Sequence, residues 1–237
     1  MKIDTTYRTQ EEEIMDDFSL EGEELRRALD NIAGINRLLG GNRLTLDGVK
    51  QLLAKADKSM PISIVDVGCG NGDMLRMLAR YGSERKLKLN LIGIDANQFT
   101  VNYAQKLSEE YSNIVYRCLD IFTDEFAAME YDIVLCTLTL HHFKDEEILK
   151  IISIFNESAK TGVVINDLER SSLAYRLFGL IGRVFSLNRM AREDGLTSIL
   201  RGFKKNELRQ FADKLNIKNC SIRWKWAFRY QWIISKI

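Results

Sequence analysis

The residues whose types and spacing could do chemistry begin with a glycine cluster that follows Asp66. Gly68, Gly70 and Gly72 occupy every second position after this acid. Without side chains, the backbone can bend sharply there and let a ligand lie against it. A helix that opens at 71–73 would present free N–H groups and the positive end of its dipole. The cluster therefore predicts a ligand-binding loop, with Asp66 and the three glycines as candidate contacts.

Two acids further along the chain each follow a predicted strand. Asp95 ends a strand over 87–95, where a doubly wound fold places a carboxylate that accepts hydrogen bonds from a ribose diol. The alternative for Asp95 is an N-cap of the helix predicted over 97–111. Asp120 follows a strand over 113–119, and taken alone it indicates only a loop acid. Their places at strand ends make both acids candidates for contact with one ligand.

The two histidines of the chain are adjacent, at the end of a predicted strand over 131–140. Ligands gather beyond the carboxyl ends of parallel strands, so Thr137 would lie beside a bound ligand and His141 and His142 on its substrate side. An imidazole with a pKa of about 6.5 suits proton removal at neutral pH, which makes His141 the candidate catalytic base. A hydrogen bond to the backbone is the alternative for His141, and a structural role is favoured for His142.

Three polar residues, Asn166, Asp167 and Arg170, lie at the end of a fifth predicted strand over 162–168. They could orient a substrate, and surface or helix-capping roles fit them equally well. No cluster of histidine and cysteine has the spacing of a zinc site, and no metal is predicted, although a magnesium site stays open as an alternative without support in the sequence. The four cysteines form no CxxC pair, which indicates reduced thiols and a cytoplasmic protein.

The elements that must position these residues alternate between strand and helix from residue 62 to residue 168. This order predicts parallel strands joined by right-handed crossovers. Two final strands, over 217–226 and 229–237, are separated by few residues and should pair antiparallel. The fold class is therefore α/β, with a doubly wound and mostly parallel sheet.

The predicted sheet is decorated at two places. Residues 1–60 should form an N-terminal helical cap, and its helices could either pack on the sheet or cover a ligand cleft. Residues 61–237 should form the main domain, with a helical lid insertion over 170–203. The net charge of +1 and the absence of an apolar run of about 20 residues favour neither nucleic acid nor a membrane span.

The predicted helix over 173–185 has two apolar stripes instead of one. An ordinary surface helix needs a single apolar face, so the second stripe must meet something else. The candidates are a hydrophobic ligand, a partner subunit and a membrane surface with anionic headgroups. Tyr175 and Phe178 are accordingly candidate substrate contacts, and a homodimer and peripheral membrane contact both stay open.

The glycine loop, D-V-G-C-G-N-G over 66–72, resembles motif I of the class I S-adenosylmethionine-dependent methyltransferases. Together with Asp95, Asp120 and the L-H-H-F sequence after strand four, the resemblance covers about 62–237. It implies a seven-stranded sheet of order 3-2-1-4-5-7-6 with the last strand antiparallel. It also implies that S-adenosyl-L-methionine is the cofactor, held at Asp66, Gly68, Gly70, Gly72, Asp95, Ala96, Asp120, Ile121 and Thr137. Asp120 would take the adenine amino group while Ile121 packs on the ring.

The segment T-L-T-L-H-H-F looks like the branch that acts on small quinones, phenols and polyketides. The resemblance therefore implies methyl transfer to a small lipophilic or phenolic acceptor, with O-methylation favoured. A cofactor-binding non-catalytic subunit is one alternative. An NAD(P)-dependent oxidoreductase is disfavoured, because Asp73 occupies the position where a dinucleotide fingerprint has a small residue. A nucleic-acid substrate is disfavoured because the single proline, Pro61, leaves no polar-Pro-Pro-aromatic turn.

Overall fold

The computed structural model describes residues 3–57 and 59–237, so residues 1, 2 and 58 of the predicted cap lie outside the described residues. A single seven-stranded sheet has the order β3-β2-β1-β4-β5-β7-β6. β7 is antiparallel to both of its neighbours, and the other pairs are parallel. The predicted strand order is confirmed. The strands are β1 Ile62–Val67, β2 Leu89–Asp95, β3 Ile114–Cys118, β4 Tyr131–Thr137, β5 Ala159–Leu168, β6 Cys220–Lys225 and β7 Arg229–Ser235.

Helices cover both faces of the sheet, because its central strands are apolar on both faces. Ile64 and Val65 of β1 are both fully buried, and so are Ile133 and Val134 of β4. The helices are α1 Glu23–Leu38, α2 Gly41–Leu53, α3 Asp73–Arg85, α4 Gln98–Leu107, α5 Asp124–Ala127, α6 Asp145–Ser158, α7 Ser172–Val184, α8 Arg189–Arg201 and α9 Lys205–Lys214. None of the described helices is long and apolar enough to span a bilayer.

The two N-terminal helices have different positions. α2 packs on the sheet, where Leu52 and Leu53 share a buried cluster with Ile64 and Val164. α1 lies beyond the sheet edge and packs on α8 through Leu25 and other small or apolar side chains. α2 therefore packs on the sheet, which was one of the two predicted alternatives, and α1 has residues on the wall of the cavity, which fits the other. The first of these helices begins at Glu23, after Gly22 with a φ of +91°.

Candidate active site

A cavity of about 1090 Å³ lies at the carboxyl ends of the parallel strands. This is near the upper end of the roughly 300–1,000 Å³ typical of small-molecule sites. Its wall combines the glycine loop, the ends of β2 and β4, the N-terminal segment at 8–18, and parts of α1, α7 and α8. The cavity therefore brings the predicted binding loop and the histidines into one space.

The glycine loop has the strained backbone that its residue types suggest. Gly68, Gly70 and Gly72 have φ values of +67°, +51° and +78°. A Cβ on Gly72 would lie 2.0 Å from the hydroxyl of Tyr116, and one on Gly68 would lie 2.3 Å from that of Thr139. A Cβ on Gly70 would meet nothing closer than 3.9 Å, since this residue borders the cavity. The loop is a backbone surface open to a ligand.

Three acids surround this loop, of which Asp66 is buried and Asp73 and Asp95 are half-buried. Burial, followed by repulsion from Asp73 and Asp95, raises the pKa of Asp66 well above its usual range. Burial also raises the pKa of Asp73 and of Asp95. One carboxylate oxygen of Asp66 is buried without a hydrogen-bond partner. A cationic ligand would relieve this crowding of carboxylates, whereas the pyrophosphate of a dinucleotide would aggravate it.

Asp95 is not the N-cap of α4, which is Asn97, and its predicted contact with a ribose stays a prediction. Its Oδ1 accepts a hydrogen bond from the Asn97 N–H at 3.1 Å, as a turn-forming acid would. Its Oδ2 accepts the Gly70 N–H at 3.1 Å, which ties the end of β2 to the glycine loop. The adjacent Ala96 lies on the cavity wall. The Asp95 carboxylate thus holds the glycine loop in place, and it also borders the cavity.

The other predicted cofactor contacts also reach the cavity. Asp120 is exposed on its wall and accepts the Phe122 N–H, while the neighbouring Ile121 is buried. Thr137 lies at the end of β4, with its hydroxyl 3.0 Å from that of Thr45 on α2. All nine predicted cofactor residues except Gly72 border the cavity, and their binding roles stay predictions.

His141 lies at the cavity wall with its ring held from one side. Nδ1 is 2.7 Å from Asp167 Oδ1, and the backbone N–H donates to Asp167 Oδ2 at 3.2 Å. Nε2 is buried, has no hydrogen-bond partner, and lies 3.5 Å from Glu13 Oε1. Burial lowers the pKa of His141, but the charges and hydrogen bonds of Asp167 and Glu13 raise it to about 9.

His142 stacks on His141 with ring centroids 4.4 Å apart. Its Nδ1 lies 2.6 Å from Asp16 Oδ1. Arg201 donates to Asp16 Oδ2 and to the carbonyl oxygen of His142. His142 is therefore held by the N-terminal segment and α8 while it lines the cavity.

Four residues that the sequence placed at the substrate lie away from the cavity wall, and these placements are corrected. Asn166 is fully buried and donates to the Gly41 carbonyl and to Thr45, which fastens α2 to β5. The buried Arg170 pairs with Glu207 of α9 at 2.6 Å. Asp167 reaches the site only through His141, and Tyr175 does not border the cavity. The side-chain N–H groups of Asn166 and Arg170 hold elements together.

Phe178 does reach the cavity, as predicted, and so do Leu177 and Ile181 of the same helix. The ring of Phe178 lies against Gly195 of α8, where an added Cβ would lie 2.2 Å from the ring. The opposite stripe of α7 is exposed, with Leu180 58% accessible. The residues that border the cavity come from both predicted stripes, because Leu177 belongs to the stripe of Leu173, Leu180 and Val184, whereas Phe178 and Ile181 belong to the other.

Sequence reasoning missed the acids that the N-terminal segment brings to the histidines. Glu13 is buried, and its Oε2 accepts the Ser198 hydroxyl at 2.7 Å. Asp194 accepts the N–H groups of Ile14 and Met15, which fastens the segment to α8. Burial raises the pKa of Asp194 to about 6. The signal in the sequence was the opposite charge of the acidic N-terminal stretch and the basic stretch over 169–205.

Comparison with known proteins finds methyltransferases that are similar to this chain. Residues 64–162 match the family model described as a methyltransferase domain. A ubiquinone biosynthesis O-methyltransferase of Coxiella burnetii is 26% identical over 153 residues, which are 63% of this chain and 61% of that protein. A protein of the same name from Ralstonia nicotianae is 27% identical over 77% of this chain and 72% of its own length. The chain spans about three fifths of the Coxiella relative.

Two solved structures share the fold. The plantazolicin methyltransferase BpumL in complex with SAH has a TM-score of 0.64 and 17% identity, over 90% of this chain and 96% of that chain. The magnesium protoporphyrin IX methyltransferase from Synechocystis with bound SAH has a TM-score of 0.54 and 20% identity, over 83% and 84%. Part of this chain therefore matches a methyltransferase domain, and its fold is similar to the folds of these two methyltransferases.

Proposed function

We propose that this chain transfers a methyl group from S-adenosylmethionine to a hydroxyl group of a small, lipophilic or phenolic acceptor. The observation that carries the proposal is the single cavity that joins the acid-lined glycine loop to His141 and to the apolar side of α7. The names of the curated relatives support O-methylation of a compound in ubiquinone biosynthesis. The acceptor class fits the apolar part of this wall.

The residues around the glycine loop fit this cofactor. Its sulfonium and amino groups are positive, and the crowded acids Asp66, Asp73 and Asp95 favour positive charge. Asp95 would accept hydrogen bonds from the ribose, and Asp120 with Ile121 would hold the adenine. When bound, the cofactor supplies an electrophilic methyl group. These acids also argue against a dinucleotide oxidoreductase.

The chain's own contribution to the reaction is positioning and proton removal. The apolar residues Leu177, Phe178 and Ile181 would hold the acceptor ring, and alignment of the reacting atoms supplies much of the acceleration. His141 Nε2 would take the hydroxyl proton, while Asp167 fixes the ring through Nδ1. Because the pKa of His141 is about 9, its neutral, basic form grows as the pH rises toward that value.

Calorimetric titration with S-adenosylmethionine, S-adenosylhomocysteine, NAD and NADP tests the cofactor. We expect the first two to bind and the dinucleotides to fail, and preferential NAD binding would overturn the proposal. Incubation with a panel of phenols and hydroquinones, followed by mass spectrometry, tests the acceptor. Binding without any methylated product would instead support a non-catalytic, cofactor-binding subunit.

We propose a cytoplasmic location from the state of the cysteines. All four cysteines are free, as expected for a protein in the reducing cytoplasm. The absence of a nucleic-acid partner, peripheral contact with a membrane and a homodimer remain proposals from the sequence. The predicted division into 1–60 and 61–237 likewise stays a prediction, although α2 shares its core with the sheet.

A further inference from the structure

Three side chains on the cavity wall have the composition of a metal site. They are Glu13 from the N-terminal segment and His141 and His142 from the end of β4. One ligand atom from each residue lies within 4.8 Å of the others, and no other group of three or more His, Cys, Asp or Glu residues does so in 3–57 and 59–237. This cluster could not be predicted from spacing in the sequence, because Glu13 is far from the histidines along the chain.

Two atoms of this cluster are buried and have no hydrogen-bond partner. They are Glu13 Oε1 and His141 Nε2, which face each other at 3.5 Å. The two side chains are only 4% and 2% exposed. When His141 is protonated the two atoms form a long ion pair, and a cation between them would satisfy both atoms more closely than this 3.5 Å contact does.

The remaining polar atoms of these two side chains are fixed by neighbours. Asp167 hydrogen-bonds His141 Nδ1 at 2.7 Å, and the Ser198 hydroxyl donates to Glu13 Oε2 at 2.7 Å. A carboxylate on the far nitrogen of a histidine is the usual way in which proteins orient a metal-binding imidazole. The geometry of the outer partners is therefore already in place.

The local charge also fits a divalent cation. Three carboxylates, those of Glu13, Asp16 and Asp167, lie within 4 Å of the two rings. The guanidinium of Arg201 lies 3.8 Å from Glu13 Oε1, and that of Arg8 donates to the carbonyl oxygen of His141 while it pairs with Asp145. Once a metal ion replaces the proton of His141, the three carboxylates and Arg201 leave two excess negative charges to balance the ion. Further out, Asp194 adds a negative charge near Glu13 and Asp16, whereas Arg229 places a positive charge near Asp167.

We infer that Glu13 Oε1, His141 Nε2 and His142 Nδ1 form a binding site for a divalent transition-metal ion of the zinc type. Two imidazoles and one carboxylate suit such an ion, and three protein ligands leave a coordination position open to the cavity. Binding exchanges the hydrogen bond between His142 Nδ1 and Asp16, 2.6 Å long, for a bond to the metal. Mg²⁺, which prefers oxygen ligands, should bind poorly.

The role of this site rests on the proposed function, whereas metal binding itself does not. In the metal-free protein, the neutral His141 ring takes the acceptor proton. In the loaded protein, that ring is a ligand, and the ion would hold the acceptor oxygen and favour its ionised form. Metal binding is therefore measured without cofactor or acceptor, so that failure of either proposal is recognised separately.

The test is to load the full chain with Zn²⁺, desalt it and measure bound metal by mass spectrometry. We expect about one zinc ion per chain, and a visible spectrum of low-symmetry Co²⁺ in a parallel titration. Glu13→Gln and His142→Asn should weaken Co²⁺ binding by about 100-fold or more, and Asp167→Asn by about 10- to 100-fold. The matched control is Glu12→Gln, an exposed acid next to Glu13.

Two outcomes would overturn the inference. One is no retained zinc and no Co²⁺ spectrum in the unaltered chain, a result that does not depend on any variant folding. The other is Co²⁺ affinity in Glu13→Gln equal to that of Glu12→Gln. The exposed thiol of Cys118 is replaced by Ser in all proteins, so that adventitious binding there does not contribute. Binding of S-adenosylhomocysteine to each variant verifies its fold.

Discussion

At the scale of the residue, the properties of His141 come from two carboxylates that are distant in sequence. Asp167 orients its Nδ1, and Glu13 faces its Nε2 at 3.5 Å. Both acids stabilise the protonated ring more than burial destabilises it, which raises its pKa to about 9. A base of this strength accepts a proton readily from a phenol but is mostly protonated at neutral pH.

The first prediction concerns the replacement His141→Gln. In chelator-treated protein, we expect the methylation rate to fall about 10²- to 10⁴-fold, because the general base is lost. Affinity for S-adenosylhomocysteine should stay nearly unchanged by calorimetry, since this ring lies away from the glycine loop. The rate of the unaltered enzyme should rise with pH toward about 9. A flat pH profile, or a normal rate in the variant, would assign the ring a structural role.

The second prediction concerns protons at the glycine loop. Burial raises the pKa of Asp66, Asp73 and Asp95, so the free protein retains protons there as the pH falls. A cationic cofactor favours the ionised carboxylates, so binding should release protons and tighten as the pH rises through their raised pKa values. Calorimetry in two buffers of different ionisation enthalpy measures the release, which Asp66→Asn should reduce. Proton uptake on binding would contradict this explanation.

At the scale of the element, α7 divides its apolar residues between two environments. Leu177, Phe178 and Ile181 border the cavity, whereas Leu180 and Val184 are exposed. The same helix can therefore form a wall for the acceptor and present an apolar stripe to the outside. The two faces can be tested separately because substitutions on one face do not touch the other.

The third prediction compares Phe178→Ser with Leu180→Ser. The first removes an apolar contact from the cavity wall, so KM for a lipophilic phenol should rise about tenfold, as expected for about 1–3 kcal/mol of lost apolar contact. The second should leave KM unchanged, because Leu180 is 58% exposed on the other face. Steady-state kinetics with one phenol and one smaller, polar acceptor measures both effects. Equal KM values for both variants would place the acceptor elsewhere.

The elements and the strand-end residues could be predicted from sequence because their signals are local. The β-branched run ending at Val67, the three glycines and the acid at Asp95 each lie within one strand and the turn after it. The parallel topology then brings separate strand ends together at one edge. For this reason the cavity, the glycine loop and the position of His141 were all recovered.

The remaining parts of the site could not be predicted, because they depend on contacts between distant segments. Glu13 meets His141 only after the N-terminal segment crosses the ends of β4 and β5. Asn166 follows a strand in the same way as Asp95, yet it faces α2 and not the cavity. A residue at a strand end can face either the cavity or a covering helix. Packing between distant segments decides between the two, and the local sequence does not indicate the result.

At the scale of the whole molecule, the N-terminal segment closes the active site and is part of it. Arg8 fastens this segment to the main domain. Its guanidinium donates to the carbonyl oxygens of His141, Phe143 and Arg201, and it pairs with Asp145 at 2.8 Å. It also lies 4.6 Å from the ring centroid of Phe203. One side chain thus links the segment that supplies Glu13 to the turn that supplies both histidines.

The fourth prediction is that Arg8→Ala loosens this closure. Hydrogen bonds to a charged donor contribute about 1.5–3 kcal/mol each, so the free energy of unfolding should fall by at least about 2 kcal/mol. The methylation rate should fall as well, because Glu13 is no longer held beside His141, while affinity for S-adenosylhomocysteine changes little. Thermal unfolding, kinetics and limited proteolysis of the segment measure the three effects.

The matched control is Arg27→Ala, whose side chain is 65% exposed and pairs only with Glu23 in the described chain. An Arg8 variant with the proteolysis pattern and rate of this control would show that the segment closes the site without Arg8.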